Sequence, residues 1–284
     1  MKNSLRNYSY WLTGAILAAG IAQPASANGT IEDQYVGAYG GSYGDVVGSS
    51  QFEIYSMDVD LTGSTLDATI NTNFAGTAGT NFEGITVDST GIGYGDLFLS
   101  TDGWDPAGTS PYSSDNNING EFWEYALVID DADRFVSGFA AGGTLSLYEL
   151  TGDTNDKNAR LSDDFITSGT GSYRNTQEVA ADLDAYYLTD SSLPDTEDNR
   201  TYYAQDTGVT GTWSVVDGGS NPNYIVFNID LSGTGLESTN FAFHWAMTCA
   251  NDVIEGVPAP VILLLMATGL FGVGVSTAVR RKRA

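Results

Sequence analysis

His244 and Cys249 are the chain's one histidine and one cysteine, and a thiol beside an imidazole is the pairing that makes a nucleophile. Their spacing argues against it. Side chains alternate across a strand, so residues five apart point to opposite faces. No second histidine is present to serve as base or metal ligand, and with one cysteine the chain closes no intrachain disulfide. Carboxylates are the next resource. Glu121 and Glu124 flank Trp123, and two carboxyl groups about a sugar are the machinery of glycoside hydrolysis. A spacing of three again divides them between the two faces of a strand. The residues name no catalytic set, and the chain reads as a non-enzyme, with a secreted glycan hydrolase only third among the readings of function.

Oxygen-rich loops offer a different chemistry. Asp102 and Asp105 share one loop, Asp153, Asn155 and Asp156 crowd another, and Asp130, Asp131 and Asp133 a third. Hard oxygen ligands on flexible loops suit Ca²⁺, which makes calcium the candidate cofactor. None of the three follows the twelve-residue EF-hand pattern; Lys157 stands where a ligand belongs. Trp104 lies in the first of these loops with Tyr112 close behind. An indole beside carboxylates is a platform for the apolar face of a sugar, so Trp104 and Tyr112 are the candidate glycan contacts.

The elements that would position these residues follow from period-two patterning. Leu66, Ala68 and Ile70 share one side of Thr65–Phe74, opposite Asp67, Thr69 and Asn71. Trp123, Tyr125, Leu127 and Ile129 do the same in Phe122–Asp130, and Ile225, Phe227 and Ile229 in Tyr224–Leu231. Such alternation predicts half-buried strands. Gln51–Leu61 changes parity near Ile54–Tyr55, which predicts a bulge or a strand covered on both faces. Gly95–Ser100, Thr144–Leu150, Thr201–Ala204 and Gly211–Val216 are further strands, and Phe241, Phe243, Trp245 and Met247 share a face opposite Ala242, His244 and Ala246. Gly/Asp/Asn turns separate these runs. The pattern predicts an all-β fold, an antiparallel β-sandwich or jelly roll in one domain. Asp153–Gly171 and Glu178–Asn199 break it and read as acidic loops, with room for a short helix over Thr176–Leu183.

The ends of the chain are of another kind. Residues 1–27 begin with Lys2 and Arg6, carry an apolar stretch over Trp11–Ala22 and finish Ala25-Ser26-Ala27, the small-x-small pattern that signal peptidase accepts, with cleavage before Asn28. Residues 257–284 begin Val257-Pro258-Ala259-Pro260. Nineteen uncharged residues follow from Val261 to Val279, then Arg280, Arg281, Lys282 and Arg283. As a helix that run extends ~28 Å, close to the hydrocarbon thickness of a bilayer, and the basic tail belongs on the cytoplasmic side. Between the two ends, residues 28–256 hold all 36 acidic residues against Arg134, Lys157, Arg160, Arg174 and Arg200, a net charge of −31. Such a field repels polyanions and excludes nucleic acid as a partner.

A Pro-containing motif, one apolar span and a basic tail together resemble the PEP-CTERM sorting signal in its VPLPA-type variant, which is read by exosortases, membrane cysteine proteases of Gram-negative bacteria. Ala259 stands where the commonest form has Glu. Phe241–Gly256, Gly95–Ser100 with Gly103-Trp104, and Trp123–Ala126 resemble stretches in PEP-CTERM proteins of uncharacterised function. The resemblance implies signal peptidase and exosortase as partners, membrane anchoring before processing, and then a place on the cell surface or outside the cell, in contact with exopolysaccharide. The expected role is structural or adhesive, and the alternative is a calcium-dependent carbohydrate-binding module.

Overall fold

A computed structural model describes residues 28–33, 46, 50–79, 92–106, 108–110, 112, 123–150, 165–168, 171–174, 204–219, 222–237, 239–248 and 252–259. The strands are β1 (Gly29–Glu32), β2 (Ile54–Thr62), β3 (Thr65–Thr72), β4 (Leu97–Ser100), β5 (Tyr125–Ile129), β6 (Gly142–Leu150), β7 (Phe165–Ser168), β8 (Gly171–Arg174), β9 (Ala204–Val216), β10 (Tyr224–Asp230), β11 (Ala242–Ala246) and β12 (Val253–Gly256). A one-turn helix, α1 (Asp131–Arg134), follows β5. The fold is all-β and antiparallel. No helix among the described residues is long and apolar enough to cross a membrane; residues 1–27 and 260–284, with the expected leader, span and basic tail, lie outside them.

Ten strands form one sheet in the order β1-β2-β3-β10-β9-β6-β5-β4-β11-β12, and β7-β8 form a separate hairpin. Where sequence patterning predicts a sandwich of two sheets, a single hydrogen-bonded sheet curls on itself into a nearly closed barrel. Two contacts draw its ends together. Thr30 of β1 forms a β-bridge with Ala259, just past β12, and the Asp252 carboxylate before β12 accepts the Ile54 N–H of β2 at 2.6 Å. The bridge covers part of the two edge strands, which leaves a shorter unpaired row of backbone groups to a passing strand.

The interior carries the alternating residues: Met57, Val59 and Leu61 of β2, Leu66, Ala68 and Ile70 of β3, Phe227 and Ile229 of β10, Leu97 and Leu99 of β4, and Phe243 and Trp245 of β11 all belong to one buried cluster. Each large side chain so buried contributes roughly 1.5–3 kcal/mol. The parity change in β2 is a bulge: the β2–β3 register shifts between Ile54 and Ser56. The Ile54 N–H at that bulge is the one Asp252 takes up.

Sequence and structure part company in four places. Trp123, expected on one face with Leu127 and Ile129, packs outside with Phe98 and Ala126 instead, because β5 begins only at Tyr125 and the alternation does not extend back to it. The run expected at Gly211–Val216 belongs to one long strand, β9, which begins at Ala204, the described residue of the run expected at Thr201–Ala204, and whose pairing with β6 shifts register between Ser146 and Tyr148. Gly208 beside that shift has φ +78°, a left-handed conformation that glycine adopts without a Cβ clash. The expected acidic loop Asp153–Gly171 contains β7, which pairs with β8 at its end and just beyond it as a hairpin, and Thr176–Leu183 lies outside the described residues. The acidic run after β5 forms α1, whose Arg134 turns inward onto Asp96.

Candidate functional site

Sheet register, not sequence proximity, assembles the chemically capable side chains. β11 pairs with β12 so that His244 stands opposite Glu255, on the outside of the barrel wall. The imidazole Nδ1 lies 3.4 Å from Glu255 Oε2, with both side chains buried. Glu255 Oε1 accepts the indole N–H of Trp104 at 3.0 Å. Phe98, the β4 neighbour of His244 in register, meets the imidazole edge-on with centroids 5.9 Å apart. Trp123 lies tilted at 5.4 Å, and Tyr112 packs against Trp104, edge to face at 5.0 Å. A buried carboxylate is costly unless hydrogen-bonded, and here an indole N–H and an imidazole satisfy it.

Trp104 therefore rivets the loop 101–106 to the outer wall of β11-β12 across 151 positions of sequence. The indole lies in a loop, as expected, but the ring is half-buried with its polar edge committed to Glu255, and Tyr112, also half-buried, is its ring partner. Asp102 and Asp105 are exposed in the same loop. Among the described residues no three His, Cys, Asp or Glu side chains come together as a metal site; Asp153, Asn155 and Asp156 lie outside those residues, as do Glu121 and Cys249.

Glu124 stands at the edge of this cluster. Its carboxylate accepts the Thr101 N–H at 2.6 Å and the Thr101 hydroxyl at 3.3 Å. Loss of solvent raises its pKa above the ordinary glutamate value and the charge of Asp102 adds to the rise, while the bonds from Thr101 oppose it. A deeper ion pair lies near the barrel end. Arg134 meets Asp96 at 3.0 Å with both side chains fully buried; the guanidinium also donates to the Tyr94 and Ile129 carbonyls at 2.8 and 2.7 Å, and Asp96 accepts the Ile129 N–H at 3.0 Å. With every partner so fixed, this pair ties α1 to the wall.

The residues expected to serve processing gather at the seam of the barrel. Val257 is exposed and 47% accessible, Pro258 half-buried and Ala259 exposed. Asn28, the expected first residue after leader removal, accepts the Leu61 N–H through its side-chain oxygen at 2.6 Å. The Ala259 N–H donates to the Thr30 carbonyl at 3.2 Å, and Gly29 lies so close that any Cβ there would strike the Ala259 carbonyl. Ala25, Ala27, Pro260 and Arg280, Arg281, Lys282 and Arg283 lie outside the described residues.

Sequence reasoning missed Glu255 and Gly29. Glu255 had a readable signal, since a hairpin turning over residues 247–252 sets 255 against 244. Gly29 had none. Comparison with known families, curated proteins and solved structures returns no match, so function rests on these residues alone.

Proposed function

We propose that the chain is an exported protein of the cell surface or extracellular polysaccharide matrix, structural or adhesive in role. In this reading signal peptidase frees Asn28, the run Val261–Val279 holds the protein in the membrane with Arg280–Arg283 inside, and an exosortase processes it at Val257–Pro260. The observation that supports it is where the strands begin and end: β1 starts at Gly29 and β12 ends at Gly256, so the two processing signals adjoin the strand ends at the seam, where Ala259 reaches β1 through its bridge to Thr30. A non-catalytic role agrees with the commitment of Glu255 and Glu124 to donors within the protein.

The test is the mass of the mature protein released from a host that carries an exosortase. A C-terminus before Val261 is expected, and Pro258→Ala with Pro260→Ala leaves a membrane-retained full-length chain. Wild-type protein released with Ala284 still present overturns the reading and leaves a plain anchor.

One observation favours the second reading, a calcium-dependent carbohydrate module. Trp104 and Tyr112 form an aromatic pair in a loop that exposes Asp102 and Asp105. Glycan binding that requires both Ca²⁺ and Trp104 supports it; binding unchanged by chelation sets it aside.

A further inference from the structure

Of the three residues Pro258, Ala259 and Pro260, Ala259 alone carries a backbone N–H, and that N–H is held by the Thr30 carbonyl of β1. Proteins that capture an extended peptide do so by adding it as a strand, through its backbone donors and acceptors. We propose that β1 acts as a clamp on the sorting motif, so that the first strand of the mature chain competes with the membrane protease for the same backbone and sets the rate of C-terminal processing. The effect on processing rests on the sorting reading above; the clamp itself does not.

Three observations carry the proposal. The Thr30–Ala259 bridge lies beyond β12, whose own ladder with β11 ends at Gly256, so the chain crosses from one strand to another within the motif. Gly29 admits the Ala259 carbonyl where no side chain could stand. β1 itself is anchored from its other edge, by the full register with β2 from Gly29↔Val59 to Glu32↔Ser56 and by the Asn28 bond to Leu61. The clamp is therefore a strand fixed to the barrel that holds the peptide just beyond Gly256. It also brings the two processing boundaries side by side, because Asn28 adjoins the residue that touches Ala259. Opening the seam costs one backbone hydrogen bond and local packing, a small barrier that thermal opening crosses often. A protease then captures the open form, and its rate follows the population of that form.

The experiment uses the full chain in an exosortase-bearing host, with a pulse-chase on a C-terminal tag. In a Cys249→Ser background, Thr30→Cys with Ala259→Cys places two thiols on directly opposed residues, within the Cα separation a disulfide spans. The oxidised chain is expected to stay uncut, and reductant to restore cutting to the rate of Ala259→Cys alone. Gly29→Val forces the strands apart and is expected to speed cutting by about tenfold, the open population rising accordingly. Equal cutting of the oxidised and reduced chains overturns the proposal. Should Gly29→Val fail to fold, the disulfide decides alone. A second readout needs no protease: in full chain from a host lacking exosortase, the Ala259 amide is expected to exchange about tenfold slower than in the Gly29→Val chain or a free peptide. Thr30→Val, which removes only the hydroxyl bond to Asp58, keeps that protection. An unprotected Ala259 amide sinks the clamp and leaves the sorting reading standing. Protection without any cutting of the wild type keeps the clamp and overturns the sorting reading, and with it the clamp's control of processing.

Discussion

The barrel wall is built in two ways. In β3 and β10 burial alternates residue by residue, with Leu66, Ala68, Ile70 and Phe227 inside and Asp67, Thr69, Asn71 and Asn228 facing outward. In β4, β11 and β12 every residue is buried. The first kind is wet outside and ordinary for an antiparallel sheet. The second needs a cover, and the outer cluster of Phe98, Trp123, Ala126, Val128, Leu150 and Ala242 with Trp104 against it supplies part of one. The difference decides where polar groups can live. On the wet side they bond across strands at the surface, as Asn228 does with Asp67 at 2.5 Å. On the covered side they must be closed circuits, as with His244, Glu255 and Trp104.

The largest effect expected from this contrast is on buried charge. Asp96→Ala leaves Arg134 in the barrel without its carboxylate and is expected to cost ~3–5 kcal/mol. Asp67→Ala removes the surface bond to Asn228 and is expected to cost no more than ~1 kcal/mol. Urea unfolding of residues 28–260 measures both, and equal losses would erase the distinction between the two sides.

Next comes the outer wall itself. Ala126→Lys drives a charge under the cover, where Ala126 is fully buried, at an expected cost of ~3 kcal/mol or more. Thr69→Lys puts the same side chain on the wet face beside Asp58, its β2 neighbour in register, with an expected change within ~0.5 kcal/mol. A harmless Ala126→Lys would mean the outer wall of β5 is open to water.

Trp104→Phe sharpens the comparison at one bond. It keeps the ring against Tyr112 but removes the N–H, leaving a Glu255 oxygen buried without that donor, and is expected to cost ~1–3 kcal/mol. Unchanged melting would show the loop 101–106 is not held by Glu255.

These two sides were unequally legible. β3 and β10 could be read residue by residue because water on one face imposes alternation, and the same logic located the β2 bulge at Ile54. β12 escaped because Val253, Ile254, Glu255 and Gly256 carry no alternation when both faces are covered, and four residues are too few to show a period. The lower part of β9 escaped because Asp206, Thr207 and Gly208 carry no apolar alternation, and the register shift there interrupts any period. The site was legible only in its local half. Trp104 and Tyr112 are near in sequence, whereas Glu255 joins them through pairing of β11 with β12. Gly29 could not be found at all, because its demand for glycine comes from a backbone that arrives 230 residues later.

The smallest expected effect lies on the border between the two sides, at Glu124. Burial raises its pKa above the ordinary glutamate value of 4.5, Asp102 adding to the rise against the bonds from Thr101. A raised folded pKa means the folded chain binds this proton more tightly than the unfolded one, so the contribution is favourable at low pH. It is lost as pH climbs from 4.5 through the folded value, and flat above it. Glu124→Gln cannot titrate. Its stability relative to the wild type should therefore rise across that window and hold constant at higher pH. The side chain is half-exposed, so solvent screening keeps the change small. Gln also retains an acceptor for the Thr101 N–H, which separates loss of the charge from loss of the bond. Melting of both proteins from pH 4 to pH 8 decides it: a difference that does not vary with pH would place Glu124 in solvent, on the wet side of the wall.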